Sequence, residues 1–108
     1  MSNKTEVPEK FSPIDSIAYA DNSVVSKTIL KKPTGNITLF AFDKGEGLSE
    51  HTTPHDALLL IVDGSVEITI GGNPNNLQAG EGIVLPPNIP HSVKATEKFK
   101  MMLTMIKS

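Results

Sequence analysis

The chain of 108 residues is long enough for one domain and too short for two. Its net charge of -2, with no basic cluster beyond Lys31-Lys32, gives no sign of a nucleic-acid surface. It has no cysteine, so it can build neither a disulfide framework nor a thiolate site, and no apolar run approaches the ~20 residues of a membrane helix.

Residues 1–13 are polar and contain Pro8 and Pro13. They cannot bury enough apolar surface to order themselves, so a flexible N-terminal arm is expected over 1–13 and a single domain over 14–108. The start MSNKTEVPEK is polar and lacks the apolar region of a signal peptide, so a soluble cytoplasmic protein is expected. From Ser23 the composition turns to β-branched residues punctuated by glycine and proline. VVSKTIL reads as a strand, Lys32-Pro33-Thr34-Gly35 as a turn and NITLFAF as the next strand.

Asp43-Lys44-Gly45-Glu46-Gly47 reads as a loop. ALLLIV is a continuous apolar run, which predicts a strand covered on both faces or a short buried one. Asp63-Gly64 is a hairpin signal. SVEITI alternates, with Val66, Ile68 and Ile70 on one face. Gly71 to Asn76 reads as a turn, Leu77 as the start of a short extended piece, and Ala79 to Gly82 as another turn. IVLPPNIPH reads as a strand and a proline-rich corner, and HSVKA and FKMMLTMI as the last strands. About eight short strands with turn signals between them predict an all-β sandwich or barrel, and eight strands can close on themselves and hide their edges. Phe40, Phe42 and Phe99 are read as core, and Lys94, Lys98 and Lys100 as a solvated face.

Two motifs stand out. Gly45 and His51 are separated by five residues, and Gly64 follows after a strand. Gly80 and Pro86 are separated by five residues, and His91 lies five beyond that proline. These resemble the two motifs of the cupin superfamily, of the small single-domain RmlC-like conserved-barrel kind, over about Ile37 to Ile106. The resemblance implies a double-stranded β-helix, or jelly-roll barrel, with a pocket inside. In metal-binding members the first motif supplies two histidines and a glutamate, and the second supplies a histidine. Here His51 and His91 match. Thr53 stands where the second histidine would be and Ala57 where the glutamate would be. Asn88 replaces the second motif's glycine, a mild change because asparagine tolerates a left-handed backbone.

Imidazole suits zinc, iron, nickel and copper, but two histidines leave a divalent ion short of the three or four protein ligands it usually takes. On a regular strand Asp56 and Glu50 point away from the ligand face. His55 shares the parity of His51, Thr53 and Ala57. Fully extended, however, His51 and His55 would stand ~13 Å apart, so His55 joins them only if the chain turns at Thr53-Pro54; otherwise it is an exposed rim residue. Met101 and Met105 share a face with Leu103, as core, a dimer face or a pocket lining.

Two functional expectations follow. In one, His51 and His91, with His55 or solvent, bind a divalent transition metal (zinc, iron, manganese, nickel or copper) and act on a small organic molecule, as a dioxygenase or isomerase would. Thr53 then sits beside the metal and Ala57 leaves room for substrate. In the other, the protein is a non-enzymatic small-ligand-binding or sensing barrel with a degenerate metal site. The family resemblance also implies a homodimer, because VVSKTIL and FKMMLTMI need cover.

Overall fold

The computed structural model describes residues 8–107. Most of the flexible arm expected over 1–13 therefore lies outside the described residues. Among the described residues no helix is long and apolar enough to cross a membrane. Among the described residues the regular structure is a 3-10 turn at Pro13–Asp15 followed by strands. These are β1 (Val24–Lys32), β2 (Gly35–Phe42), β3 (Gly47–His51), β4 (Asp56–Ile70), β5 (Asn73–Gln78), β6 (Gly82–Leu85), β7 (His91–Lys94) and β8 (Phe99–Ile106).

All pairings are antiparallel, and they form two sheets that share β4. The front sheet runs β1-β2-β8-β4-β6 and uses the first half of β4. The back sheet runs β3-β7-β4-β5 and uses its second half. The result is the curled jelly-roll expected from the sequence.

The crossing point of β4 corrects the sequence reading. Asp63-Gly64 is not a hairpin turn: it lies inside one strand of 15 residues. The register against β8 shifts between Ile61 and Asp63, and Gly64 has φ of 76°. A Cβ at Gly64 would collide with the Lys98 carbonyl oxygen. The local Asp-Gly signal is thus used for a bulge and bend that carry the strand from one sheet to the other. The tight hairpin comes instead at Gly71-Gly72, both with positive φ, and β5 extends the short piece expected from Leu77 back to Asn73, over residues read from composition as turn. Pro74 is tolerated because β5 is an edge strand, paired with β4 alone.

Period-two alternation fills the barrel. Ala57, Leu59 and Ile61 of β4, Phe42 of β2, and Phe99 and Met101 of β8 are buried in one core with Val66, Ile68 and Leu77. Phe42 and Phe99 are register partners whose rings stack 4.5 Å apart at 11°. ALLLIV is buried on one face only: Leu58 is 48% exposed, because it points to the outside of the front sheet.

The N-terminal segment covers part of that outside. Ile17 and Tyr19 pack on Leu39, Ala41 and Met102, forming a second small core. Lys100, read as solvated, is buried beneath this segment. Its Nζ donates to the Ile14 carbonyl at 2.6 Å and sits 4.9 Å from the Tyr19 ring centroid. The Tyr19 hydroxyl donates to Asp63 at 2.6 Å. Burial, and then the hydrogen bond and charge of Asp63, push the Tyr19 phenol well above its ordinary range.

Candidate functional site

β3 and β7 position the two motif histidines. Gly47 pairs with Lys94, Leu48 with Val93, and His51 with His91. Three residues on β3 therefore span two on β7, and the register shifts between Leu48 and His51. This bulge puts Leu48 and His51 on the same face although their separation is odd. A parity argument along a regular strand does not apply here.

The rings of His51 and His91 are 4.3 Å apart between centroids, inclined at 65°. His91 is buried, with 6% of its surface exposed, and His51 is exposed. His51 Nδ1 lies 2.8 Å from the Ser49 carbonyl oxygen, and His91 Nδ1 lies 3.2 Å from that of Ile89. A carbonyl oxygen only accepts, so each Nδ1 carries the proton and donates it. In the Nδ1–H tautomer of such a ring Nε2 is the acceptor.

The two imidazoles line a cavity of about 40 Å³ with Leu48, Leu59, Leu85, Val93, Met101 and Leu103. That volume holds on the order of one water or one small polar group, well under the ~300 Å³ of an ordinary small-molecule pocket. It is apolar apart from the two rings, and no carboxylate lines it.

The other residues singled out from the sequence lie elsewhere. Thr53 is half-buried in the loop between β3 and β4. Its carbonyl accepts from the Asn88 amide at 2.7 Å, and its Oγ1 from the His55 amide at 3.3 Å. Thr53 thus ties its loop to the proline-rich corner, where Asn88 takes the left-handed backbone, φ 64°, that its place in the motif requires. His55 is half-buried and does not line the cavity, because the segment Thr52–His55 leaves the strand before β4 begins. Ala57 is core, set between Leu85 of β6 and Met105 of β8.

Among the described residues no three histidine, cysteine or acidic side chains are grouped to hold a metal. The donor set at the cavity is two imidazole nitrogens, which does not complete a resident divalent site. The apolar lining was not singled out from the sequence, except Met101 and Leu103, which were placed on one strand face. Its signal lay in the alternations Leu59 and Ile61, Val93, and Met101 and Leu103.

The comparisons with known proteins agree with this architecture. The family model described as a cupin domain matches residues 38–107. Over its whole length the chain is 32% identical to a conserved protein of unknown function, SPY1581, from Streptococcus pyogenes, covering 96% of that chain with a TM-score of 0.90. It is 41% identical to a cupin 2 conserved barrel domain protein from Leptotrichia buccalis, over 87% of this chain and 46% of that one, TM-score 0.84. The chain thus spans about half of the Leptotrichia protein. A cupin superfamily protein from Desulfitobacterium hafniense is 27% identical, with 94% of both chains covered and a TM-score of 0.87. No curated protein matches the chain. With a jelly-roll barrel and both histidines of its motifs at one cavity, the chain belongs to the cupin family.

Proposed function

We propose that this cupin is a small-ligand-binding barrel in which His51 and His91 receive the hydrogen-bond-donating head of a small organic molecule. One observation carries the reading. Both rings fix their Nδ1 protons on backbone carbonyls, leaving two acceptor nitrogens on rings that share one apolar cavity. A primary amide head, with two N–H donors, satisfies both acceptors, and a hydroxyl satisfies one of them. The apolar lining accepts the atoms next to it, and the body of the ligand rests at the mouth beside exposed His51. Thr53 supports the site by holding the β3–β4 loop rather than by touching the ligand.

A second reading is favoured by the same hydrogen bonds. An Nδ1–H donated to a carbonyl is the arrangement that orients imidazole for metal ligation. A dioxygenase- or isomerase-like activity on a small organic molecule would follow from a divalent metal there, and it needs a third ligand that the described residues do not supply.

Titration of the protein with phenol, as a minimal hydroxyl donor with an apolar body, separates the readings. Nε2 of at least one of the two histidines should shift in ¹⁵N spectra, and His91→Ala should weaken binding at least ~10-fold. No Nε2 response to phenol, together with about one equivalent of bound transition metal in tag-free protein, would favour the metal reading instead. A homodimer and a cytoplasmic location complete this proposal.

A further inference from the structure

The cavity that holds the two imidazoles has a methionine in its wall. Met101 lies on β8 between its register partners Phe40 of β2 and Ile61 of β4, and is 1% exposed. Its unbranched side chain is adaptable and carries a polarizable thioether. Among the described residues neither Met102 nor Met105 lines this cavity. The side chains gathered there thus offer imidazole nitrogen and thioether sulfur, and no oxygen ligand.

We propose that His51, His91 and Met101 form a three-donor site for monovalent copper, Cu(I), which discriminates against divalent ions. The inference rests on the reading above that both Nε2 atoms are acceptors at this cavity. It adds a second kind of occupant, one that competes there with an organic head group.

Ligand softness favours copper. Thioether sulfur selects Cu(I) and imidazole also suits copper, whereas harder ions such as manganese need the carboxylate and water oxygens that this lining lacks. Copper accepts trigonal sites of about three ligands, while structural zinc usually takes about four. Charge points the same way. No carboxylate lines the cavity to neutralise an ion, and the cost of burying an ion rises with the square of its charge. A divalent ion therefore costs about four times as much to desolvate there as a monovalent one. A volume of about 40 Å³ holds a bare ion, or on the order of one water, and not a hydrated divalent ion.

The rings are placed for it. An ion ~2 Å from each Nε2 stands ~3 Å from each ring centroid, so rings that share one have centroids within ~6 Å. Those of His51 and His91 are 4.3 Å apart. Each Nδ1 lies against a backbone carbonyl, the contact that orients a ligating imidazole. His51 is exposed whereas His91 and Met101 are buried, so an incoming ion meets His51 first.

Anaerobic titration of the metal-free, tag-free full chain with Cu(I), in competition with a chromophoric Cu(I) chelator, tests this, with Zn(II) titrated in parallel. About one equivalent of Cu(I) should bind, at least ~100-fold more tightly than Zn(II). Cu(I) is diamagnetic, so NMR reads the donors: both Nε2 resonances and the Met101 methyl should shift. Met101→Leu conserves volume and should weaken Cu(I) at least ~10-fold. An Nε2 response to phenol without Cu(I) uptake would overturn the copper site and leave the ligand-binding reading standing. No Nε2 response to either phenol or Cu(I) would overturn both. Zn(II) bound as tightly as Cu(I) would overturn the choice of ion. A Met101 methyl that does not move, with Cu(I) affinity unchanged in Met101→Leu, would overturn the three-donor site.

Discussion

Two cross-strand ring pairs, one in each sheet, show what the same device does in different surroundings. Phe42 and Phe99 meet by register between β2 and β8, and His51 and His91 by register between β3 and β7. Their centroid separations are close, 4.5 Å and 4.3 Å. The phenylalanines stack nearly parallel with no exposed surface and make no polar demand. The histidines are tilted at 65°, one ring buried and one exposed, with each Nδ1 held by a carbonyl two residues back. Pairing alone produces packing. Pairing beside a bulge, with polar rings at the edge of the core, produces a site.

This comparison can be broken from either side. Phe99→Ala should cost ~3–5 kcal/mol in chemical unfolding, because it leaves a void and strips Phe42 of its stacking partner. A loss under ~1 kcal/mol would mean that the pair does not organise the core. Gly64→Ala should cost at least ~1–3 kcal/mol, from the positive φ and from the close approach of the Lys98 carbonyl. His51→Ala removes an exposed ring and should leave the melting temperature nearly unchanged while abolishing the phenol response, the reverse of the Phe99 result.

Smaller effects sharpen the picture of the covered outer face. Tyr19→Phe should cost ~1 kcal/mol at neutral pH by removing the bond to Asp63. Because the folded phenol titrates above its unfolded value of ~10, its contribution is complete below that pH and is lost as pH climbs past it. Wild-type stability should therefore show an alkaline decline that Tyr19→Phe lacks, as pH-dependent urea unfolding would reveal. The smallest effect is at Asp43, whose carboxyl is held below its usual range by hydrogen bonds from the amides of Asn22 and then Lys44. Its contribution is present above the unfolded carboxylate value and fades as pH falls through the lower folded one, so Asp43→Asn should flatten the acid limb slightly.

Much of this was legible in the residues. Runs of strand-forming residues between turn signals located β1, β2 and β8, and alternation located the second half of β4. The two glycine-led motifs marked the loops that carry His51 and His91. Three features were not legible, each because a distant contact outweighs a local pattern. Asp63-Gly64 looks like a turn, but β8 passes so close that only glycine fits a bend within the strand. Lys100 looks like a surface residue of an alternating strand until the segment around Ile14 folds over it. GLSEH lacks the β-branched residues of a typical strand, so β3 and its bulge are specified by β7 rather than by their own composition. That bulge decides which side chains share the cavity.

The two ring tautomers carry the functional account, and long-range ¹H–¹⁵N correlation spectra of the histidine side chains at neutral pH read them directly. Signals of the Nδ1–H form for both His51 and His91, with both Nε2 atoms unprotonated and at least one of them shifting when phenol is added, are the expected result. An Nε2–H form at either ring would leave its carbonyl without the imidazole donor and remove the free acceptor, contradicting the site as described.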